Sequence, residues 1–265
     1  GNAGAQLIMN NSGTVRTFAI GNYTQTGYEV ELGSGTAAST INLTGNFSKT
    51  GGYLVTTTAA LNSIINFSGT SQNIQSNGGT ITKWINFNVL NGSVCTLGGQ
   101  FNVDGSSPAS IFTVNSGGTL NCGTFNLVAA PTATATTFVL ATGGTLSIGS
   151  AAGITTAGTA SGNIQTNIRT FNNAGNYIYN GGGAQAAGTA LPATLGSLTI
   201  SNNTVLTIPT AKVVTNNFSI TTGSSTNLGT GLSHNAGTLT MGGFGSPSGS
   251  HGSTASAATN KNDTF

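Results

Sequence analysis

Charged side chains are nearly missing from this 265-residue chain: 6 Lys or Arg and 4 Asp or Glu make up 4% of it, against about 25% in an ordinary soluble domain. Six scattered cations and a net charge of +2 cannot build the basic stripe that a phosphate backbone requires, so nucleic acid is excluded as a partner. Anionic membrane surfaces are excluded on the same ground. No apolar run approaches the roughly 20 residues that cross a bilayer, so membrane insertion is not expected.

The shortage of carboxylates and imidazoles excludes most catalysis. Asp104, Asp263, Glu29 and Glu31 are the four side-chain carboxylates. A glycosidase needs two carboxyl groups about 5 to 10 Å apart, and Glu29 with Glu31 is the one pair on a common strand face. Beside Tyr28 and Val30 they read as a solvated face. His234 and His251 are well separated along the chain, with no cysteine or suitably spaced carboxylate nearby, so they read as structural or exposed residues and not as metal ligands. No Gly-x-Ser-x-Gly elbow sits in a strand-to-helix setting. No catalytic residue, metal site or cofactor is assigned, and the chain is read as not being an enzyme.

Runs of Glu, Lys and Leu are lacking too, and Thr, Asn and Gly disfavour helix interiors. Disorder does not follow, because disordered chains combine low hydrophobicity with high net charge, and here 37% of residues are hydrophobic. The two cysteines, Cys95 and Cys122, are separated by one repeat of the chain plus a small offset. They form either one disulfide across neighbouring coils or two separate buried thiols.

What the chain does contain is repetition. GNYTQTGYEVELGSGTAASTINLT from Gly21 is followed at once by GNFSKTGGYLVTTTAALNSIINFS from Gly45. Tyr23 and Phe47, Ile41 and Ile65, and Leu43 and Phe67 take equivalent places in these two units. Phe87 and Phe112, Val89 and Val114, and Phe101 and Phe125 recur in the same way, and ATGGTLSIG from Ala141 echoes NSGGTLNCG from Asn115. A period of about 24 to 26 means a solenoid, in which each repeat covers the apolar face of the next.

Segments such as Ile41-Asn-Leu43, Ile65-Asn-Phe67, Phe101-Asn-Val103, Phe125-Asn-Leu127, Leu198-Thr-Ile200 and Phe218-Ser-Ile220 alternate apolar and small polar residues, as half-buried strands do. Gly-Gly, Asn-Gly and Ser-Gly pairs between them supply corners. The expected fold is all-β: a single-stranded parallel β-helix (β-solenoid) with coils of about 24 residues, each holding three short strands and three corners. Stacking at about 4.8 Å would turn roughly eleven coils into a rod of about 50 Å. The alternative is an antiparallel β-sandwich.

Residues 1–20 are read as an N-terminal strand or subunit-contact segment, 21–236 as solenoid repeats, and 237–265 as a C-terminal strand or tail. The opening at Gly1 lacks a basic-then-apolar leader, so the chain reads as a mature or excised product. Leu7, Ile8, Met9, Phe18, Ile20 and Phe265 are the candidate subunit-contact residues, because solenoid ends without charged caps invite pairing with another chain.

The ordered pieces GNIQT (Gly162 to Thr166), RTF (Arg169 to Phe171), YIYNG (Tyr177 to Gly181) and LPATL before Leu198-Thr-Ile200 resemble the Thr/Gly/Asn-rich repeats of type IX-secreted bacterial surface adhesins. The closing stretch from Gly237 to Phe265 resembles the end of autotransporter-associated β-strand repeats. The resemblance implies a secreted, non-catalytic adhesin, matrix or filament protein, and it transfers no functional residue. The expected partners are identical subunits in a homopolymeric filament, with cell-surface or matrix glycans as further candidates. A glycan-binding or ice-binding module is the alternative function. In the glycan version Trp84, Tyr177 and Tyr179 would stack on sugars, while drift of the repeat length argues against the flat Thr array that ice requires.

Overall fold

A computed structural model describes residues 6–34, 36–57, 62–81, 84–103, 110–129, 135–158, 160–252, 254, 255 and 257–261. Among them there are 28 strands and no helix, and all but one of the strand pairings are parallel. The chain is a parallel β-solenoid with three faces, not a sandwich. One coil reads Ser39–Leu43 on the first face, Phe47 to Lys49 on the second and Tyr53 to Thr56 on the third.

The first face is the most regular. Arg16–Ile20, Ser39–Leu43, Ser63–Phe67, Ile85–Val89, Ile111–Val114, Thr137–Leu140 and Ile168–Phe171 stack as seven parallel strands with no shift of register between them. Their period-2 pattern turns Ile41, Ile65, Phe87, Phe112 and Phe138 inward. Asn42, Asn66 and Asn88 face outward as an amide ladder: Asn66 Nδ2 donates to Asn42 Oδ1 at 2.9 Å and Asn88 Nδ2 to Asn66 Oδ1 at 3.0 Å. Like residues stacked coil on coil thus bond to one another where like charges would repel.

Variation in coil length is absorbed at the corners. The ten-residue strands Phe47–Thr56, Gln72–Ile81 and Val94–Val103 bend from the second face to the third, and their pairings shift register at the bend. On the second face ten parallel rungs follow one another from Tyr23–Gln25 to Asn235–Met241, about nine turns. That is fewer than the chain length divided by the repeat suggests, for two reasons. The coil that runs from Phe138 to its ladder partner Arg169 is longer than its neighbours, and the described residues beyond Met241 add no parallel rung to this stack.

The interior is a continuous apolar column, the hydrophobic effect being the main driving force for its formation. Phe67, Phe87, Phe112 and Phe138 stack at centroid separations of 6.3, 6.1 and 6.4 Å, and Phe171 continues the column at 5.7 Å. Phe47 and Phe101 meet this column largely edge-on. Polar side chains tie the corners from inside. Gln72 donates to the carbonyls of Leu43 and Gly45 while accepting from Gly69 N–H, and Gln185 repeats the device with Ile148, Ser150 and Gly181. Each satisfies backbone groups that a tight corner would otherwise orphan.

Most of the expected register is found: Tyr23 opposite Phe47, Ile41 opposite Ile65, Leu43 opposite Phe67, Phe87 opposite Phe112 and Val89 opposite Val114. One pairing is displaced. Phe101 stands opposite Leu127, not Phe125, because a turn at Gly123 and Thr124 leaves Phe125 outside the strand and partly exposed.

Candidate functional site

The two ends of the stack are built differently. At the N-terminal end Gln6–Ile8, Arg16–Ile20 and Tyr23–Gln25 each have a ladder partner on one side only, among the described residues. Leu7 is 59% and Ile8 43% exposed, whereas Met9 packs partly on the core and donates its N–H to Glu31 O at 2.8 Å. Phe18 and Ile20, half-buried, lie opposite Ile41 and Leu43. Five of the six candidate contact residues therefore gather on terminal rungs; Phe265 lies outside the described residues.

At the other end Asn235–Met241 is the last parallel rung. The chain reverses through Gly242 and Gly243, at φ 59° and 88°, and lays Phe244–Gly245 antiparallel on Thr240 and Met241. Ser246 N–H then donates to Leu239 O at 2.8 Å. Two left-handed residues in a two-residue loop are the geometry of a type I′ hairpin. The sequence pattern places only a strand or tail here, although Gly242-Gly243 between Met241 and Phe244 is the signal for the fold-back.

Charge is treated differently from expectation. Glu29 and Glu31 share a strand face, but Glu31 is only 4% exposed and so is not a solvated residue. Gln6 Nε2 donates to Glu29 Oε1 and to Glu31 Oε2, and the Thr57 hydroxyl donates to Glu31 Oε1. Asp104 and Asp263 lie outside the described residues. His234 Nε2 is 2.8 Å from Leu228 O and His251 Nε2 2.8 Å from Pro247 O. Among the described residues no group of three His, Cys, Asp or Glu side chains could hold a metal, and no helix is long and apolar enough to cross a membrane.

Cys95 and Cys122 are free thiols in the core. Cys95 stands opposite Leu120, which puts Cys122 one coil on and two positions further along. Burial pushes the Cys95 thiol up to about 12 and Cys122 higher still, so neither has the thiolate character of a reactive cysteine. Tyr177 and Tyr179 are buried as well, opposite Leu146 and Ile148, with their hydroxyls donating to Asn172 O and Ala187 O. They cannot stack on a sugar, and Trp84 is half-buried.

Lys49 is the least expected of these placements. It alternates in phase with Phe47, points inward, and donates to the carbonyls of Gly51, Gly52 and Gly78 at 3.1, 3.0 and 2.9 Å. Gln25 fills the same place one coil earlier, bonding the carbonyls of Gly27, Tyr28 and Tyr53. Burial lowers the Lys49 ammonium to about 8. The unfolded chain holds that proton up to about pH 10.4. Between pH 8 and that value the unfolded state therefore binds more protons, and stability rises with pH. The melting temperature of the native chain should climb relative to Lys49→Gln across this window and run parallel to it below pH 8. A constant difference throughout would contradict the burial of the ammonium.

Cavities open to solvent are found among the described residues. One of about 310 Å³ lies at the N-terminal end and is lined by Gln6, Leu7, Thr24, Tyr28, Glu29 and their neighbours. Another of about 330 Å³ lies beside the last strand of the seven-stranded face, around Arg169, Phe171 and Pro192. The Arg169 guanidinium there is turned onto the carbonyls of Thr155, Thr156 and Thr166. No protein-family model matches this chain, and neither the curated proteins nor the solved structures yield a match.

Proposed function

We infer that this chain is a non-catalytic, secreted structural protein: a β-solenoid subunit that joins head to tail with copies of itself in a bacterial surface filament or adhesive matrix fibre. The observation that carries the reading is the N-terminal end, where three edge strands lack an outer partner among the described residues and Leu7 and Ile8, on one of them, stand exposed. Unpaired edges are templates for another strand. Contact between unlike ends is heterologous and grows into a filament when the rotation does not close. A chain with 4% charged residues also offers little electrostatic repulsion to association. The resemblance of the pieces between Gly162 and Ile200 to surface-adhesin repeats points the same way.

Negative-stain microscopy and sedimentation across rising protein concentration test this reading. Linear assemblies are expected for the native chain and single particles for the double variant Leu7→Lys, Ile8→Lys, whose unpaired charges would have to be buried at the joint. Monodisperse single particles of the native chain at the highest concentration would sink the idea.

A further inference from the structure

One corner of the solenoid breaks the rule that its neighbours follow. Tyr28, Gly52 and Gly79 occupy the same corner in three consecutive coils, at φ 59°, 67° and 68°. Glycine is required at the later two, because a Cβ at Gly52 would press into the carbonyl oxygens of Gly27 and Tyr28, and one at Gly79 into that of Gly52. The first coil instead carries a bulky side chain in a conformation such residues avoid. Core packing does not compensate, since Tyr28 is 71% exposed. Backbone strain held without packing gain is a mark of function.

The surroundings of Tyr28 supply the chemistry. In register on the third face, Glu29 lies between Gln6 and Tyr53, and Tyr53 is 54% exposed. Gln6 Nε2 fixes the Glu29 carboxylate. The cavity of about 310 Å³ opens alongside, with Thr24 and Thr26 in its wall. Tyr28 thus lines the cavity together with Glu29 and Gln6, and Tyr53 adjoins Glu29 on the next rung, with two threonines close by and no cation in the group. A pyranose presents this pattern in complement: C–H faces for the rings and hydroxyls that donate to Glu29. An anionic sugar would meet the Glu29 carboxylate and, among the described residues that line the cavity, no cation.

We propose that Tyr28, Tyr53, Glu29 and Gln6 form a binding site for a neutral saccharide. The cavity adjoins the Gln6–Ile8 edge that the filament reading uses, so the test is made on the unassembled chain, where saccharide binding and filament growth succeed or fail separately. Isothermal titration of the unassembled chain with chitotetraose, cellotetraose and xylotetraose, and with a sulfated tetrasaccharide, tests it. At least one neutral probe should bind, and Tyr28→Gly should weaken that binding tenfold or more. Folding does not confound the variant: glycine serves this corner in the next two coils, so its melting temperature should equal or exceed that of the native chain. Tyr53→Ala should weaken binding similarly, and Phe244→Ala, a change at the opposite end, should leave it intact. No binding of any neutral probe at millimolar concentration, preference for the sulfated probe, or unchanged binding by both tyrosine variants would overturn the proposal.

Discussion

Phe87→Ala lowers the stability of this solenoid by about 3–5 kcal/mol, the range for truncating a fully buried phenylalanine. The ring is 0% exposed and stacks on Phe67 below and Phe112 above. Phe101 meets it edge-on at 5.1 Å and Phe47 at 6.2 Å. Each such aromatic pair is worth about 0.5–1.5 kcal/mol beyond the area buried, so the substitution removes four pair interactions and leaves a void in a column that continues on both sides. Relaxation is limited, because the ladder holds the adjoining rungs at fixed spacing. Phe244→Ala, at an 80% exposed ring, stays within about 0.5 kcal/mol. Urea denaturation followed by far-ultraviolet circular dichroism distinguishes them. A loss below about 1 kcal/mol at Phe87, well under the usual cost of such a truncation, would mean the aromatic column is not the core of the fold.

Gly52→Val is the second large effect, with a loss of about 3 kcal/mol or more, strain and collision acting together. Holding a non-glycine residue in the left-handed region costs about 1–3 kcal/mol, and a β-branched side chain is among the poorest fits there. The new Cβ also collides with backbone of the preceding coil, at Gly27 and Tyr28, atoms that belong to a ladder and cannot swing aside as a side chain would. Gly182→Val is the control. A Cβ at Gly182 meets nothing within 4 Å and its φ lies outside the left-handed range, so about 0.5 kcal/mol or less is expected. Urea midpoints of the two variants make the comparison. Equal effects at both sites would show that the corners do not constrain the stack.

The solenoid itself was legible because two signals agree: alternation of apolar and polar residues within each strand, and recurrence of the pattern one coil later. Where both hold, as from Ile41 to Ile65 or Phe87 to Phe112, the register follows. Phe125 misled because its spacing from Phe101 matches the period, while the turn at Gly123 shifts the true partner to Leu127. Tyr177-Ile178-Tyr179 misled because either parity buries something apolar; only pairing with Leu146 and Ile148 turns the tyrosines inward. Lys49 was legible in principle, being in phase with Phe47, but the carbonyls that receive it come from corners whose geometry no pattern encodes. The Tyr28 site was not legible for the same reason, since its meaning lies in the contrast with Gly52 and Gly79 at a common corner.

The shortening of the coils sets where a fibre of such subunits would yield. Ladder partners are spaced more widely along the chain at the N-terminal end, from Leu7 to Val30 and from Tyr23 to Phe47, than in the succession Tyr177, Leu198, Phe218 and Leu239 near the other end. A wide end placed against a narrow end leaves part of its perimeter unmatched, and the fold-back at Gly242 occupies more of it. Each joint of the proposed fibre would then carry fewer ladder bonds than a turn inside a subunit. Under axial tension a fibre of the proposed kind would part at its joints while the coils stay wound, so load would break it into intact subunits.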